Sequence, residues 1–204
     1  MSTFIYLASQ SPRRAQLLEQ MGVAHQPLLP NAEGDVAEDA EAIEAVHLGE
    51  APATYVQRVT AGKLDAAIAR FVRRRLPPAP ILCADTTVAL GRRILGKPAD
   101  AAEARDMLQS LSGTTHRVLT AVALQHGSQR MAALSTSQVR FDTLSSAQIE
   151  DYVASGEPFG KAGGYGIQGR AATLISRIAG SYSGIMGLPV YETSALLRSV
   201  GFLR

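Results

Sequence analysis

The chain has 204 residues, 46% of them hydrophobic and 19% charged, and its 20 basic against 18 acidic side chains leave a formal net charge of +2. That composition excludes a disordered chain, and so small a surplus gives no global pull toward nucleic acid. The length suits one domain, or two closely packed lobes, burying about 70% of the unfolded surface. In chain order, Phe4 to Ala8 form a short apolar run that predicts a strand. Ser11-Pro12 then offers an N-cap followed by proline at the first helical position, and Leu17, Leu18 and Met21 give a helical stripe ending at Gly22. Residues 30–53 are acidic and rich in Ala, Gly and Pro, which predicts an exposed loop or insertion. Tyr55, Val56, Val59, Ile68, Phe71 and Val72 suit a long helix that stops before Pro77-Pro78-Ala79-Pro80.

Ile81 to Leu90 predicts a buried strand, with a turn at Gly91 and a short return strand through Ile94-Leu95. Asp100 with Glu103 marks a helix start, and Met107, Leu108 and Leu111 continue that helix to Gly113. Arg117 to Leu124 and Thr136 to Phe141 predict two further strands. Ser145-Ser146-Ala147-Gln148 is a capping box by sequence, opening a helix through Tyr152 and Val153. A glycine-rich stretch (160–169), a strand near Leu174 to Ile178, a turn, and a helix after Pro189 complete the chain. Strands and helices alternate without a repeat, so the class is α/β with a mixed sheet, and no linker divides residues 1–204. Cys83, the sole cysteine, sits in the apolar run Ile81-Leu82-Cys83-Ala84 and reads as a small core residue. No N-terminal signal pattern stands out, and no apolar run approaches the roughly 20 residues of a membrane span. The expectation is a cytoplasmic protein.

Two motifs are decoys. Gly91 to Lys97 has the GxxxxGK spacing, but Pro98 stands where a phosphate loop needs a hydroxyl for magnesium, and Arg92-Arg93-Ile94-Leu95 suits a hairpin. Gly164 to Gly169 satisfies GxGxxG, but Glu157-Pro158 precedes it and a strand-like segment follows, the reverse of a dinucleotide fingerprint. Backbone freedom or close approach to a ligand accounts better for those glycines.

Chemistry concentrates in two places. In Leu7-Ala8-Ser9-Gln10-Ser11-Pro12-Arg13-Arg14 a strand enters a helix whose first turn holds two arginines. Free N–H groups and the positive dipole end make an anion site there, and guanidinium forks suit phosphate oxygens. Asp85 is a carboxylate inside an apolar strand, and burying it without partners costs several kcal/mol. Either it is paired structurally or it stands at a cleft to hold a proton or a metal; the residues leave both open.

Taken together, LASQSPRR (7–14), GK (62–63), ADTTV (84–88), LGKP (95–98), MLQSLSGTTHRVLTAVAL (107–124), GKAGGYGIQG (160–169) and GSYSGIMGLP (180–189) resemble the Maf-like nucleoside triphosphate pyrophosphatases over nearly the whole chain. The resemblance implies an elongated mixed sheet flanked by helices, two lobes with a central cleft, and a homodimer. It implies hydrolysis of dTTP and UTP, or modified pyrimidine triphosphates, to the monophosphate and pyrophosphate, with Asp85 as general base. The substrate-discriminating positions fall on Arg13, Thr86 and Gln168. Ser9, Arg14, Lys63, Lys97 and Lys161 would hold the triphosphate with a divalent cation, Mg²⁺ or Mn²⁺. The acidic pair usual after the first helix is replaced by Asn31-Ala32-Glu33-Gly34-Asp35, so Glu33 or Asp35 would take the metal. Gly160 also stands where an acidic residue commonly precedes Lys161. The alternative is a nucleotide-binding regulator of septum formation without catalysis, and Asp85 among basic residues favours the enzyme. Arg73-Arg74-Arg75 raises a nucleic-acid partner, but no aromatic RNA-binding motif accompanies it, and the run suits a solvated helix end.

Overall fold

In the computed structural model, which describes residues 3–30, 35 and 38–203, the apolar run Ile81–Leu90 forms the strand β3 around which the sheet is assembled. For labelling in chain order, the other strands are β1 (Ile5–Leu7), β2 (His25–Pro27), β4 (Arg93–Leu95), β5 (Thr115–His126), β6 (Gln129–Phe141) and β7 (Ile175–Ala179). On one side of β3 lie β1 and then β2, both parallel. On the other side β5, β6 and β7 follow in antiparallel array, and β4 folds back on the end of β3. The order is β2-β1-β3-β5-β6-β7, with β4 beside β3. Parallel neighbours need crossovers. The helix α1 (Pro12–Gln20) supplies one between β1 and β2, and α3 (Pro52–Arg73) lies on the path to β3. This is the mixed α/β sheet flanked by helices that the alternation of elements predicts.

The helices form where their apolar spacing and caps require. In α3, Tyr55, Val56, Val59, Leu64 and Ala67 are buried, a stripe that packs on the sheet and whose side chains contribute about 1.5–3 kcal/mol each for the larger aliphatics. The Asp100 carboxylate accepts from the Glu103 N–H at the start of α4 (Ala101–Leu111). Both arms of the Ser145–Gln148 capping box are made at α5 (Ser146–Ala154). The short α2 (Ala40–Glu44), α6 (Tyr182–Met186) and the final α7 (Val190–Ser199) complete the set.

Three differences from the sequence expectation have physical reasons. β5 and β6 extend well past the apolar runs, down to His126↔Gln129 across a turn at Gly127-Ser128, because the ladder satisfies backbone groups whatever the exposed side chains are. β2 has no apolar signature (His-Gln-Pro) and exists through its pairing with β1. Within 30–53, expected as loop, Asp39 caps α2.

The feature that makes a site is a break beside β3. β1 pairs with β3 only as far as Leu82, and pairing with β4 begins at Val88. From Cys83 to Thr87, β3 therefore has a strand neighbour only on its β5 side among the described residues. Successive side chains of a strand point to opposite faces. Asp85 accordingly meets α3, and Thr86 meets the face covered by α6, both at one open edge.

Candidate active site

Lys63, on α3, joins two carboxylates. Its Nζ donates to Asp85 Oδ1 and to Glu44 Oε1, both at 2.6 Å, while Lys97 Nζ reaches Glu44 Oε2 at 3.2 Å. Desolvation pushes the Lys63 ammonium down, but Asp85 and Glu44 more than reverse it and its pKa lies above the ordinary lysine value. Burial raises the Glu44 carboxyl, and Lys63 followed by Lys97 outweighs that, holding it below the usual carboxylate value. Bonded to both carboxylates at once, Lys63 fixes the orientation of Asp85. Its second oxygen has no protein hydrogen bond among the described residues.

Glu44 was hidden in the stretch expected as loop. It is held in place from α3: the Tyr55 hydroxyl donates to the Glu44 carbonyl at 2.9 Å, and Arg58 donates to Ile43 and Ala45 carbonyls. Gly62 contributes by having no side chain, since a Cβ there would stand 3.2 Å from Ile43 Cγ2. The signal that could have found it is the helix-forming run Ala40-Glu41-Ala42-Ile43-Glu44 behind an Asp N-cap. Of the two acidic residues expected at the metal, Glu33 lies outside the described residues. Asp35 is held by Arg73 and Arg74 and does not line the cleft. Those two arginines are thus engaged with the protein itself.

On the opposite face, the turn into α1 carries Ser9, and the first turn of the helix carries Arg13 and Arg14. Arg14 is largely committed: Nε donates to the Gly187 carbonyl at 2.8 Å, Nη1 to Ser9 Oγ at 3.0 Å and Nη2 to Thr86 Oγ1 at 3.4 Å. Desolvation lowers its pKa, with Asp85 pulling the other way. It therefore ties α1, β3 and the end of α6 together while lending its charge to the cleft. Arg13 has no such ties among the described residues and lines the opening.

The glycine-rich segment closes the cleft from above. It forms two 3₁₀ turns (Ala162–Gly164 and Arg170–Leu174), not the strand-to-helix turn of a dinucleotide site. Gly163 has φ +70°, and a Cβ there would lie 2.8 Å from Val88 Cγ1, so the backbone sits directly on β3. Tyr165 is anchored below by His116 Nε2 at 2.7 Å. Lys161 donates to the Glu157 carbonyl, and desolvation, then Arg13, lowers its pKa. Gln168 is exposed at the rim, with no protein partner for its amide among the described residues.

These elements enclose a cleft of about 510 Å³. Every expected site residue among the described residues, Asp35 aside, lines it: Asp85, Thr86 and Lys63 at the floor, Ser9, Arg13 and Arg14 at the entry to α1, Lys97, Lys161 and Gln168 at the rim. Apart from the Arg70–Glu38 pair, five cations and two carboxylates among the described residues face the space, so the cleft suits a polyanion. Its Thr86 face is apolar, with Val88, Val118, Ile185 and Met186. One end thus fits phosphates and one face fits a flat ring. A divalent cation fits the donor set as well: Asp85 and Glu44 are two hard oxygen ligands, and magnesium sites commonly use one or two carboxylates with substrate phosphates. No cluster of three or more protein metal ligands occurs among the described residues, so phosphate oxygens would be needed.

A family model described as "Maf-like protein" matches residues 4–200. Three relatives named dTTP/UTP pyrophosphatase are similar over nearly their full lengths. That of Albidiferax ferrireducens is 64% identical over 202 residues, covering 99% of each chain. That of Polaromonas sp. is 65% identical over 198 residues, 97% of this chain and 96% of the relative. That of Cupriavidus metallidurans is 61% identical over 201 residues, 98% of each. No described helix is long and apolar enough to cross a membrane.

Proposed function

The chain belongs to the Maf-like protein family, and from that membership we propose that it hydrolyses dTTP and UTP to the monophosphate and pyrophosphate, with Asp85 activating the water. The observation that carries the reading is the Asp85–Lys63–Glu44 arrangement at the floor of a cation-lined cleft. Lys63 holds one oxygen of Asp85, and the free carboxylate oxygen is available to take a proton from water as the water oxygen bonds to the α-phosphorus. The bond from that phosphorus to the β-bridging oxygen breaks, and pyrophosphate departs. Arg13, Lys97 and Lys161 offset the charge that gathers on the leaving group. Glu44, together with phosphate oxygens, would hold a divalent cation, Mg²⁺ or Mn²⁺, which when bound neutralises phosphate charge. Gln168 offers its amide donor to the O4 shared by uracil and thymine. A binding-only regulator would need the cations but not a lysine-tethered Asp85. The reading carries with it a cytoplasmic setting, a homodimer and no nucleic-acid partner.

Hydrolysis of UTP in ¹⁸O-water tests it directly. Labelled UMP with unlabelled pyrophosphate is the expected outcome. UDP with labelled orthophosphate would place attack at the γ-phosphorus and overturn the assignment.

A further inference from the structure

Thr120 is a polar residue with no role in the chemistry above. It lies on β5, 1% exposed, directly paired with Thr86 across the β3–β5 ladder, and does not line the cleft. Its hydroxyl touches two partners: the Gly184 carbonyl of α6 at 2.7 Å and Thr86 Oγ1 at 3.0 Å. A hydroxyl has one proton and a carbonyl can only accept. The Thr120 proton therefore goes to Gly184, and the bond between the two threonines must use the Thr86 proton. Thr86 Oγ1 also faces an Arg14 N–H at 3.4 Å, another group that can only donate. The sequence Arg14 to Thr86 to Thr120 to Gly184 thus has one consistent direction. It leaves Thr86 with no proton to offer into the cleft, only a lone pair.

We propose that Thr120 is a positioning residue that fixes the Thr86 hydroxyl as an acceptor, so that the cleft selects pyrimidine bases carrying a ring N3–H. The inference rests on the pyrophosphatase reading and deepens it. Thr86 stands on the apolar face formed by Val88, Val118 and Ile185, the part of the cleft that suits a flat ring. Uracil and thymine present N3–H, a donor that meets this lone pair. Cytosine presents an unprotonated N3, and two acceptors would face each other, which leaves both desolvated and unpaired. Discrimination against CTP would then be set from behind the cleft wall, by a residue that no substrate reaches.

The test compares kcat/KM for UTP, CTP and N3-methyl-UTP in the wild type, Thr120→Val and Thr120→Ser. The wild type is expected to reject both CTP and N3-methyl-UTP. Thr120→Val removes the partner that holds the Thr86 proton, which frees that proton to turn into the cleft. The UTP:CTP ratio should then narrow by roughly 3- to 10-fold. The Gly184 carbonyl retains the Gly187 N–H at 3.1 Å, so the variant leaves it hydrogen-bonded. Thr120→Ser keeps the hydroxyl and should restore the wild-type ratio, which a merely structural effect of losing the methyl would not do. A folded Thr120→Val with an unchanged ratio overturns the proposal. So does wild-type enzyme that accepts N3-methyl-UTP as readily as UTP, a result that needs no variant to fold. Either result leaves the pyrophosphatase reading standing. No pyrophosphate from UTP or dTTP in the wild type would instead remove that reading, and this inference with it.

Discussion

Asp85 was conspicuous in the sequence because a charge in an apolar strand needs a partner, and the structure supplies one in Lys63 at 2.6 Å. Asp85→Asn keeps the shape and removes the base. Turnover of UTP should fall by about 10²- to 10⁴-fold. Because Lys63 retains Glu44, the Kd for a non-hydrolysable UTP analogue should stay within a few-fold, as isothermal titration would read. Turnover near that of the wild type would take Asp85 out of the mechanism. Glu44, by contrast, was not legible. An acidic residue in an acidic stretch carries no local mark, and what distinguishes it is the hold of Tyr55 and Arg58 on its backbone from a helix 11 and more residues on. Arg14 was legible as a cation at a helix start but not as a tie, because its main partner, Gly187, is 173 residues away.

At the scale of elements, the glycine-rich segment was readable as a close approach to something but not as to what. The structure identifies it: Gly163 lies on Val88 of β3 in a left-handed conformation, and this seats the segment that carries Lys161 and Gln168. Gly163→Ala combines the left-handed penalty with a Cβ at 2.8 Å from a buried strand side chain, together about 2–5 kcal/mol. Gly127→Ala, at φ +56° in the β5–β6 turn with open space around it, should show the conformational part alone, about 1–2 kcal/mol. Urea midpoints of the two variants against the wild type check the contrast. Equal losses would mean that the close approach to Val88 is not a real constraint. The capped helices were legible from residues a turn apart, whereas β2 was not, because it forms by pairing with the neighbouring strand.

For the molecule as a whole, the α/β class follows from the alternation of elements, while the order β2-β1-β3-β5-β6-β7 does not, since pairing between distant strands leaves no local pattern. Nor does the sequence reveal that His116 is buried at the centre of an aromatic group with Phe141 and Tyr165. Burial lowers its pKa to about 4 from an ordinary 6.5. Burial also raises the Tyr165 hydroxyl well above the usual phenol range, so a neutral imidazole and a protonated phenol share the hydrogen bond at His116 Nε2. Between pH 6.5 and 4 the unfolded chain binds a proton at His116 that the folded chain does not. Stability is therefore fully present above about 6.5 and falls as the pH drops toward 4, by about 3 kcal/mol over the window. The carboxylates held down by cations, Glu44 and Glu50, add their own losses only below their ordinary value of 4.5. Unfolding free energies measured in urea between pH 7.5 and 5 should thus isolate the histidine. His116→Gln, which keeps a hydrogen-bonding partner for Tyr165 and cannot titrate, should flatten that slope although it lowers stability at neutral pH. A slope unchanged in the variant would mean that the acid sensitivity arises elsewhere and that His116 is not held neutral by the core.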